Sequence, residues 1–288
     1  MTHCKICGSN EHIDVLTKND YRLVRCTACG VIFVANPPSH EALQKMYSFS
    51  SRYHEEYEQG DVRNYHLFKH EYELARQQLK VVRKYCSAGS LLDIGCGAGF
   101  FLSLARQHNY VCTGLELSDD SARIGREKFK LSVYKDVQDI QGSRFDIITL
   151  FDVIEHVLDP NRLLTEAVSL LKPDGLLIIS TPMHDGLFPK VTYWASKIIH
   201  HWPHPTPPYH LFQFSKKSMG LLLSRHPLKV QHILDRRIDI RTSFGKPATF
   251  IKKPLSVLYF LIFFPFSFFG PWLKKGDWST YIIRKTSS

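Results

Sequence analysis

The stretch "LLDIGCGAGF", Leu91–Phe100, decides the fold. An apolar run ends at Asp93, and Gly95, Gly97 and Gly99 follow at once. The run reads as a buried strand. The glycines read as a tight turn that leaves room for a ligand beside the start of a helix. From here the chain alternates. "SLLDIG", "YVCTGLEL", "LSVYK", "FDIITLF" and "GLLIISTP" read as strands, with "FLSLARQH", "DDSARIGREKF" and "NRLLTEAVSLL" as helices between them. That alternation gives βαβ units, hence an α/β fold whose parallel sheet is covered on both faces. Ligands of such sheets sit beyond the carboxyl ends of the strands. Further on, "LKPDGLLII" predicts a helix stopped by a Pro-Asp-Gly turn, and "SKKSMGLLLSRH" a helix capped by Ser215. "LKVQHILDRRI" and "STYIIRK" read as two late strands.

The glycine spacing selects the ligand. A dinucleotide fingerprint places its third glycine where this chain has Phe100. It also leaves no reason for a carboxylate at Asp93, which would repel a pyrophosphate. S-adenosylmethionine (SAM) has no phosphate and carries an ammonium and a sulfonium, so an acid beside the turn suits it. Glu116, ending "GLEL", stands where a carboxylate accepts from two ribose hydroxyls, with Leu117 next to it. Asp136 and Val137, after the third strand of the alternating region, stand where the adenine amino group would lie.

"LLDIGCGAGFFL", "GLELSDDSA", "KDVQDI", "FDIITLFDVIEHVLDP" and "LKPDGLLIISTP" resemble, in order, the motifs of class I SAM-dependent methyltransferases. The resemblance covers about Gly89 to Pro182. It implies a Rossmann-like seven-stranded sheet with an antiparallel last strand, for which "STYIIRK" is the candidate. It also implies that Asp93, Gly95 and Gly97 surround the methionine part, Glu116 the ribose and Asp136 the adenine. Phe151 and Asp152 would border the methyl group. Glu116 departs from the commoner aspartate at its position, a conservative change.

Ahead of this region lie "CKICG" and "CTACG". Cys4, Cys7, Cys26 and Cys29 have the spacing of two knuckles that complete one tetrahedral Zn²⁺ site. Gly8 and Gly30 follow each second cysteine and permit the left-handed turn a knuckle needs. With four thiolates and no open position, such a zinc is structural. "HIDVLTKNDYRLVR" between the knuckles reads as a hairpin turning at Asn19-Asp20, and "GVIFVA" as a further strand. The resemblance extends to methyltransferases that carry an N-terminal zinc-binding domain, many of which act on sugars or sugar-derived polymers. The expected organisation is a zinc ribbon over 1–38, a helical connector over 39–88 and a SAM-binding domain over 89–250. An apolar segment over 251–275 and a last strand of the same sheet over 276–288 complete it. The tyrosines and histidines of "YSFSSRYHEEYEQ" in the connector are candidates to line a site.

A hydroxyl acceptor needs a base, and histidine suits neutral pH. Three candidates stand out: His156 in "DVIEHV" and His184 in "STPMH", each after a strand, and His210 in "PYHLFQFS", before the helix that starts at Ser215. His156 ranks first and His210 second. Asp152, Glu155 and His156 also resemble the acidic-histidine triplet of ubiquinone-type O-methyltransferases, where a divalent metal can assist.

Pro254–Leu273, "PLSVLYFLIFFPFSFFGPWL", carries no charge and is flanked by lysine pairs. It has about the length of a bilayer span, but Pro265 and Gly270-Pro271 should break it, and a span would carry "STYIIRK" away from its sheet. It is expected as an interfacial or re-entrant membrane element, with lysines at anionic headgroups. A buried helix or a dimer contact is the alternative. The net charge of +10 favours an anionic partner. With an odd count of seven cysteines and no apolar leader in "MTHCKICGSN", a cytoplasmic protein is expected, in peripheral contact with the inner face of the membrane. The function expected is SAM-dependent methylation, O-directed, of a glycan or lipid-linked intermediate. An RNA methyltransferase and a non-catalytic SAM-binding protein are the alternatives. A nucleic-acid partner is not favoured, because the ribbon lacks a concentrated Lys/Arg run.

Overall fold

A computed structural model describes residues 3–46, 68–199, 202, 204–238 and 254–286. The whole aromatic stretch "YSFSSRYHEEYEQ", residues 47–59, lies outside the described residues. The N-terminal hairpin pairs β1 (His12–Lys18) with β2 (Tyr21–Cys26). Asn19 and Asp20 both take positive φ, 51° and 64°, the two-residue turn that matches strand twist. β3 (Ile32–Val34) adds to β2. Helices α1 (His40–Met46) and α2 (Lys69–Tyr85) follow.

The alternating region forms as its pattern predicts. β4 (Gly89–Ile94), α3 (Phe100–Arg106), β5 (Tyr110–Leu115), α4 (Asp119–Phe129) and β6 (Ser132–Tyr134) make one half of the sheet. β7 (Phe145–Phe151), α5 (Pro160–Leu170) and β8 (Leu171–Pro182) start the other. Leu91, Leu92, Ile147, Ile148 and Leu176–Ile179 are buried, as continuous apolar runs in a doubly covered sheet must be. Asp159 caps α5 by accepting from the amides of Asn161 and Arg162. The Pro-Asp-Gly turn differs from expectation. β8 begins at Leu171 and includes it, with Asp174 at φ 56° and a register shift after Phe145.

After β8 come α6 (Leu187–Ile199), β9 (Phe212–Gln213), α7 (Lys216–Leu223) and β10 (Leu228–Arg236). α8 (Pro254–Phe269) and β11 (Trp278–Lys285) end the chain. Ser215 caps α7 in a reciprocal capping box with Ser218. The sheet has seven strands in the order β10-β11-β8-β7-β4-β5-β6. β11 is antiparallel to both neighbours and so completes the sheet from inside rather than at its edge. The chain leaves β4 outward to β6, then returns on the other side to β7. That reversal opens a crevice at the carboxyl ends of β4 and β7.

β9 pairs not with this sheet but with β3, giving a second sheet in the order β1-β2-β3-β9. The N-terminal residues therefore share a core with the large sheet. Cys4, Ile6, Phe33 and Phe212 pack in one cluster with Leu150, Ile179 and Tyr281. Pro265 does not break the apolar segment as expected, since α8 runs through it to Phe269. Among the described residues no helix is long and apolar enough to cross a membrane.

Candidate active site

The turn after β4 holds Gly95, Gly97 and Gly99 at φ 75°, 54° and 88°, where an L side chain is strained. Their surroundings differ. A Cβ on Gly95 would stand 2.5 Å from Val153, and one on Gly99 2.5 Å from Leu131. A Cβ on Gly97 would meet nothing within 4 Å. Gly95 and Gly99 are thus packing positions, and Gly97 faces open space, the cradle a ligand would fill.

Asp93 and Glu116 stand at the strand ends beside that turn. Asp93 is buried, and its Oδ1 accepts from Thr149 Oγ1 at 2.6 Å. Burial pushes it up to about 7, against the Thr149 hydrogen bond and with the nearby Glu116 adding to the rise. Glu116 accepts from the Gly97 amide through one oxygen and from the Ser118 amide through the other, both at 2.8 Å. The carboxylate is locked before any ligand arrives, with lone pairs left for hydroxyl donors. Asp136 is exposed and caps the short 3-10 turn Val137–Ile140. With Leu117, Lys135, Asp139 and Arg162 it lines a cleft of about 640 Å³, covered on its other side by His40 and Gln44 of α1. The residues present fit a SAM molecule: acids at the strand ends, an open glycine bonded to Glu116, and a cleft lined by Leu117 and Asp136 just after it in the chain. Nothing in the spacing of the sequence pointed to His40 or Gln44.

Beyond β7 the chain turns sharply. Phe151 packs edge-on against Phe101. Asp152 takes φ 58°, an unusual conformation for a residue other than glycine. Its Oδ1 accepts from Trp278 Nε1 at 2.8 Å, and burial raises it to about 6 despite that bond and the nearby Arg236. Asp152 therefore faces β11 and does not join Glu155 and His156. The expected triplet is not assembled: Trp278 holds the Asp152 carboxylate, close enough for its charge to act on Glu155 but outside the group of ligand atoms that lie within 4.8 Å of one another.

His210 takes the third place instead. One ligand atom from each of Glu155, His156 and His210 lies within 4.8 Å of the others. His156 and His210 meet edge to face, with ring centroids 4.8 Å apart. His156 Nδ1 is 2.8 Å from the Tyr209 carbonyl. A carbonyl only accepts, so Nδ1 carries the proton and Nε2 is left with its lone pair. Nε2 stands 3.9 Å from Glu155 Oε1, a buried oxygen with no hydrogen-bond partner. The other Glu155 oxygen accepts from Thr181 Oγ1 at 2.9 Å. Burial raises Glu155 well above the usual carboxylate range, reinforced by Asp152. Burial also lowers His156 to about 4, so it is neutral at pH 7. His156 retains 23% side-chain exposure and remains reachable. His184 is elsewhere. Its Nε2 is 3.2 Å from the Gly30 carbonyl, against the second cysteine knuckle, because the chain after β8 turns toward the small sheet. It is not brought to the other two histidines.

The loop that carries His210 is gripped by the N-terminal hairpin. Lys18 Nζ donates to the carbonyls of Trp202 and Pro205, and Asn19 Nδ2 to that of Pro207. At the base of that hairpin the four cysteines converge. Cys4 and Cys29 sulfurs are 3.6 Å apart, and those of Cys7 and Cys26 are 3.4 Å apart. All four lie within 4.8 Å of one another. Sulfurs about 2.3 Å from a common ion stand about 3.8 Å apart in a tetrahedron, so the set fits a four-thiolate metal. Gly8 and Gly30 take φ 81° and 79°, and their amides close each knuckle on the carbonyls of Cys4 and Cys26.

The Methyltransferase domain family matches residues 66–233. A ubiquinone biosynthesis O-methyltransferase of Coxiella burnetii (strain Dugway 5J108-111) is 30% identical over 178 residues, 52% of this chain and 73% of that relative. One from strain RSA 331 / Henzerling II is 36% identical over 99 residues, 32% of this chain and 42% of the relative, so the chain spans less than half of this second one. Among solved structures, a possible histamine N-methyltransferase of Thermotoga maritima is 19% identical, with a TM-score of 0.49. The match covers 78% of this chain and 96% of that one.

Proposed function

The chain belongs to the class I SAM-dependent methyltransferases, and from that premise we propose that it methylates a hydroxyl oxygen on a lipid-linked acceptor. The observation that carries the oxygen assignment is His156. Its Nδ1 is committed to the Tyr209 carbonyl, which leaves the Nε2 lone pair to take a proton, and its backbone amide donates to the carbonyl of Val153, whose side chain packs on Gly95. The relatives named as O-methyltransferases support the same atom. SAM supplies the methyl group. Asp93 and Gly97 hold its methionine part on the turn that Gly95 packs against Val153, Glu116 and Leu117 hold the ribose, Asp136 and Val137 the adenine, and Phe151 borders the reacting end. His156 takes the acceptor proton on Nε2, and Glu155 Oε1 faces the imidazolium that forms. His210 packs against His156 and serves as the second candidate base. His184, in contact with the Gly30 carbonyl, is given no part in this reading.

In this reading Cys4, Cys7, Cys26 and Cys29 hold a structural Zn²⁺, and the ribbon of 1–38 braces the loop that carries His210. The domain of 89–250, completed by 276–288, binds SAM, and the connector of 39–88 covers the nucleoside end through α1. A glycan on a lipid carrier and a prenylated ring share the chemistry required, a hydroxyl on an apolar tail. The enzyme works in the cytoplasm, peripherally at the inner face of the membrane.

The cofactor assignment makes a contrast between neighbouring glycines. Gly97→Val should lower the affinity for S-adenosylhomocysteine at least about tenfold while costing roughly 1–2 kcal/mol of stability, since only the backbone conformation is strained. Gly95→Val should instead lower the melting temperature sharply, because its side chain meets Val153. Calorimetric titration and thermal melts separate the two. Equal affinity losses with equal stability losses would remove Gly97 from the ligand site. For the acceptor, methyl-labelled SAM is supplied to the protein with a membrane extract, and the products are partitioned. Label in the organic phase is expected. Label confined to the aqueous phase would overturn the lipid-linked acceptor.

A further inference from the structure

We propose that α6 and α8 form one platform that lies in the surface of an anionic bilayer, next to the reacting end of the site. The sequence singled out only the second of these helices. In the structure they pack together, and the surface they leave is apolar. Trp194 and Ile198 of α6 are 61% and 82% exposed. Leu258 and Leu261 of α8, with Trp272 and Leu273 just after it, are more than half exposed as well. Exposed large apolar side chains gathered on two helices that pack together mark an interaction surface.

Charge says which partner covers it. Neither helix contains an acidic residue. The cations stand around the patch. Lys197 Nζ lies 4.5 Å over the Trp194 ring, Arg237 lies over Phe268, and Lys274 and Lys275 are exposed at the end of the segment. Apolar side chains bordered by lysine and arginine, with tryptophan between them, match the boundary between acyl chains and anionic headgroups. A second copy of the chain would bring like charges together.

The geometry allows lying on the bilayer and forbids crossing it. α8 has 16 residues, about 24 Å of helix, against about 30 Å of hydrocarbon. Arg236 and Trp278 are register partners in the β10–β11 pair, so the chain leaves and re-enters the sheet at one place. The platform is fastened there by Asp277, which is fully buried. Its carboxylate accepts from Ser267 of α8 and from the Phe188 amide of α6, and the Lys275 carbonyl accepts from the Leu187 amide. The next residue, Trp278, holds Asp152 at the end of β7. A lipid-linked acceptor would reach the site from the bilayer without leaving it. That last step rests on the methyl-transfer reading. The platform itself does not.

The test is flotation of the full chain with vesicles of phosphatidylcholine, with and without phosphatidylglycerol, and calorimetry with S-adenosylhomocysteine in parallel. The protein should float with the anionic vesicles, and its tryptophan emission should shift to the blue. The variant Trp194→Glu/Ile198→Glu/Leu261→Glu should float at least about tenfold less with unchanged S-adenosylhomocysteine affinity. Protein that stays at the bottom with anionic vesicles at low salt would overturn the platform. So would a concentration-dependent dimer that the triple variant dissolves. Loss of S-adenosylhomocysteine binding by the unmodified chain would instead overturn the cofactor assignment and leave the platform standing.

Discussion

Replacing His156 with Gln is expected to lower methyl transfer by about 10²–10⁴-fold while S-adenosylhomocysteine binding is kept. The side chain sits beside the proposed methyl end and contributes none of the acids around Gly97. His210→Asn should cost less, because that ring packs on His156 without accepting a hydrogen bond at the buried Nδ1. The two effects should not add, since the rings touch. The pH profile carries the same assignment. Burial holds His156 at about 4, so the imidazole is neutral throughout the usual working range. The rate should fall on the acid side only as pH approaches 4, well below the ordinary histidine value. Stability moves in the same direction. The folded state binds this proton less readily than the unfolded chain, so stability from this group is present above about pH 6.5 and is lost as pH falls toward 4. An unchanged rate in His156→Gln, or an acid limb near pH 6.5, would remove His156 from the role of base.

Cys26→Ser is expected to lower the melting temperature by at least about 10 °C and to do so in one transition. The first part follows from the four-thiolate geometry, since a structural zinc contributes folding free energy outright. The second follows from the shared core. Cys26 and Cys29 pack in the same cluster as Leu150 and Ile179 of the large sheet, and β3 pairs with β9 from beyond β8. A ribbon standing alone would melt separately and leave the rest intact. Here its loss also frees the Trp202–Pro207 loop held by Lys18 and Asn19. Methyl transfer should therefore fall together with the metal. Differential scanning calorimetry with metal analysis checks both parts. Two separate transitions, or a protein that purifies without zinc and melts unchanged, would refute the arrangement.

Local chemistry made much of the fold legible. Apolar runs with period two or none, separated by helical periodicity, dictate parallel strands under helices, whatever the distant contacts. Hairpin geometry at Asn19-Asp20 and the Ser215 cap are likewise local, since turn and cap energies depend on a few neighbouring residues. The cysteine spacing and the strand-end acids Asp93, Glu116 and Asp136 belong to the same class. Each is placed by the element it ends or follows.

Tertiary structure alone decided where long-range partners meet. No spacing along the chain reveals that Trp278 reaches back to Asp152, or that His210 rather than Asp152 joins Glu155 and His156. The same holds for His184, which turns toward Gly30, and for β9, which joins the N-terminal sheet. Pro265 reads locally as a helix break, yet the helix runs through it packed against α6. In each case the outcome depends on which surfaces are buried together. That is a sum over contacts between residues far apart in the chain, and only the folded molecule evaluates it.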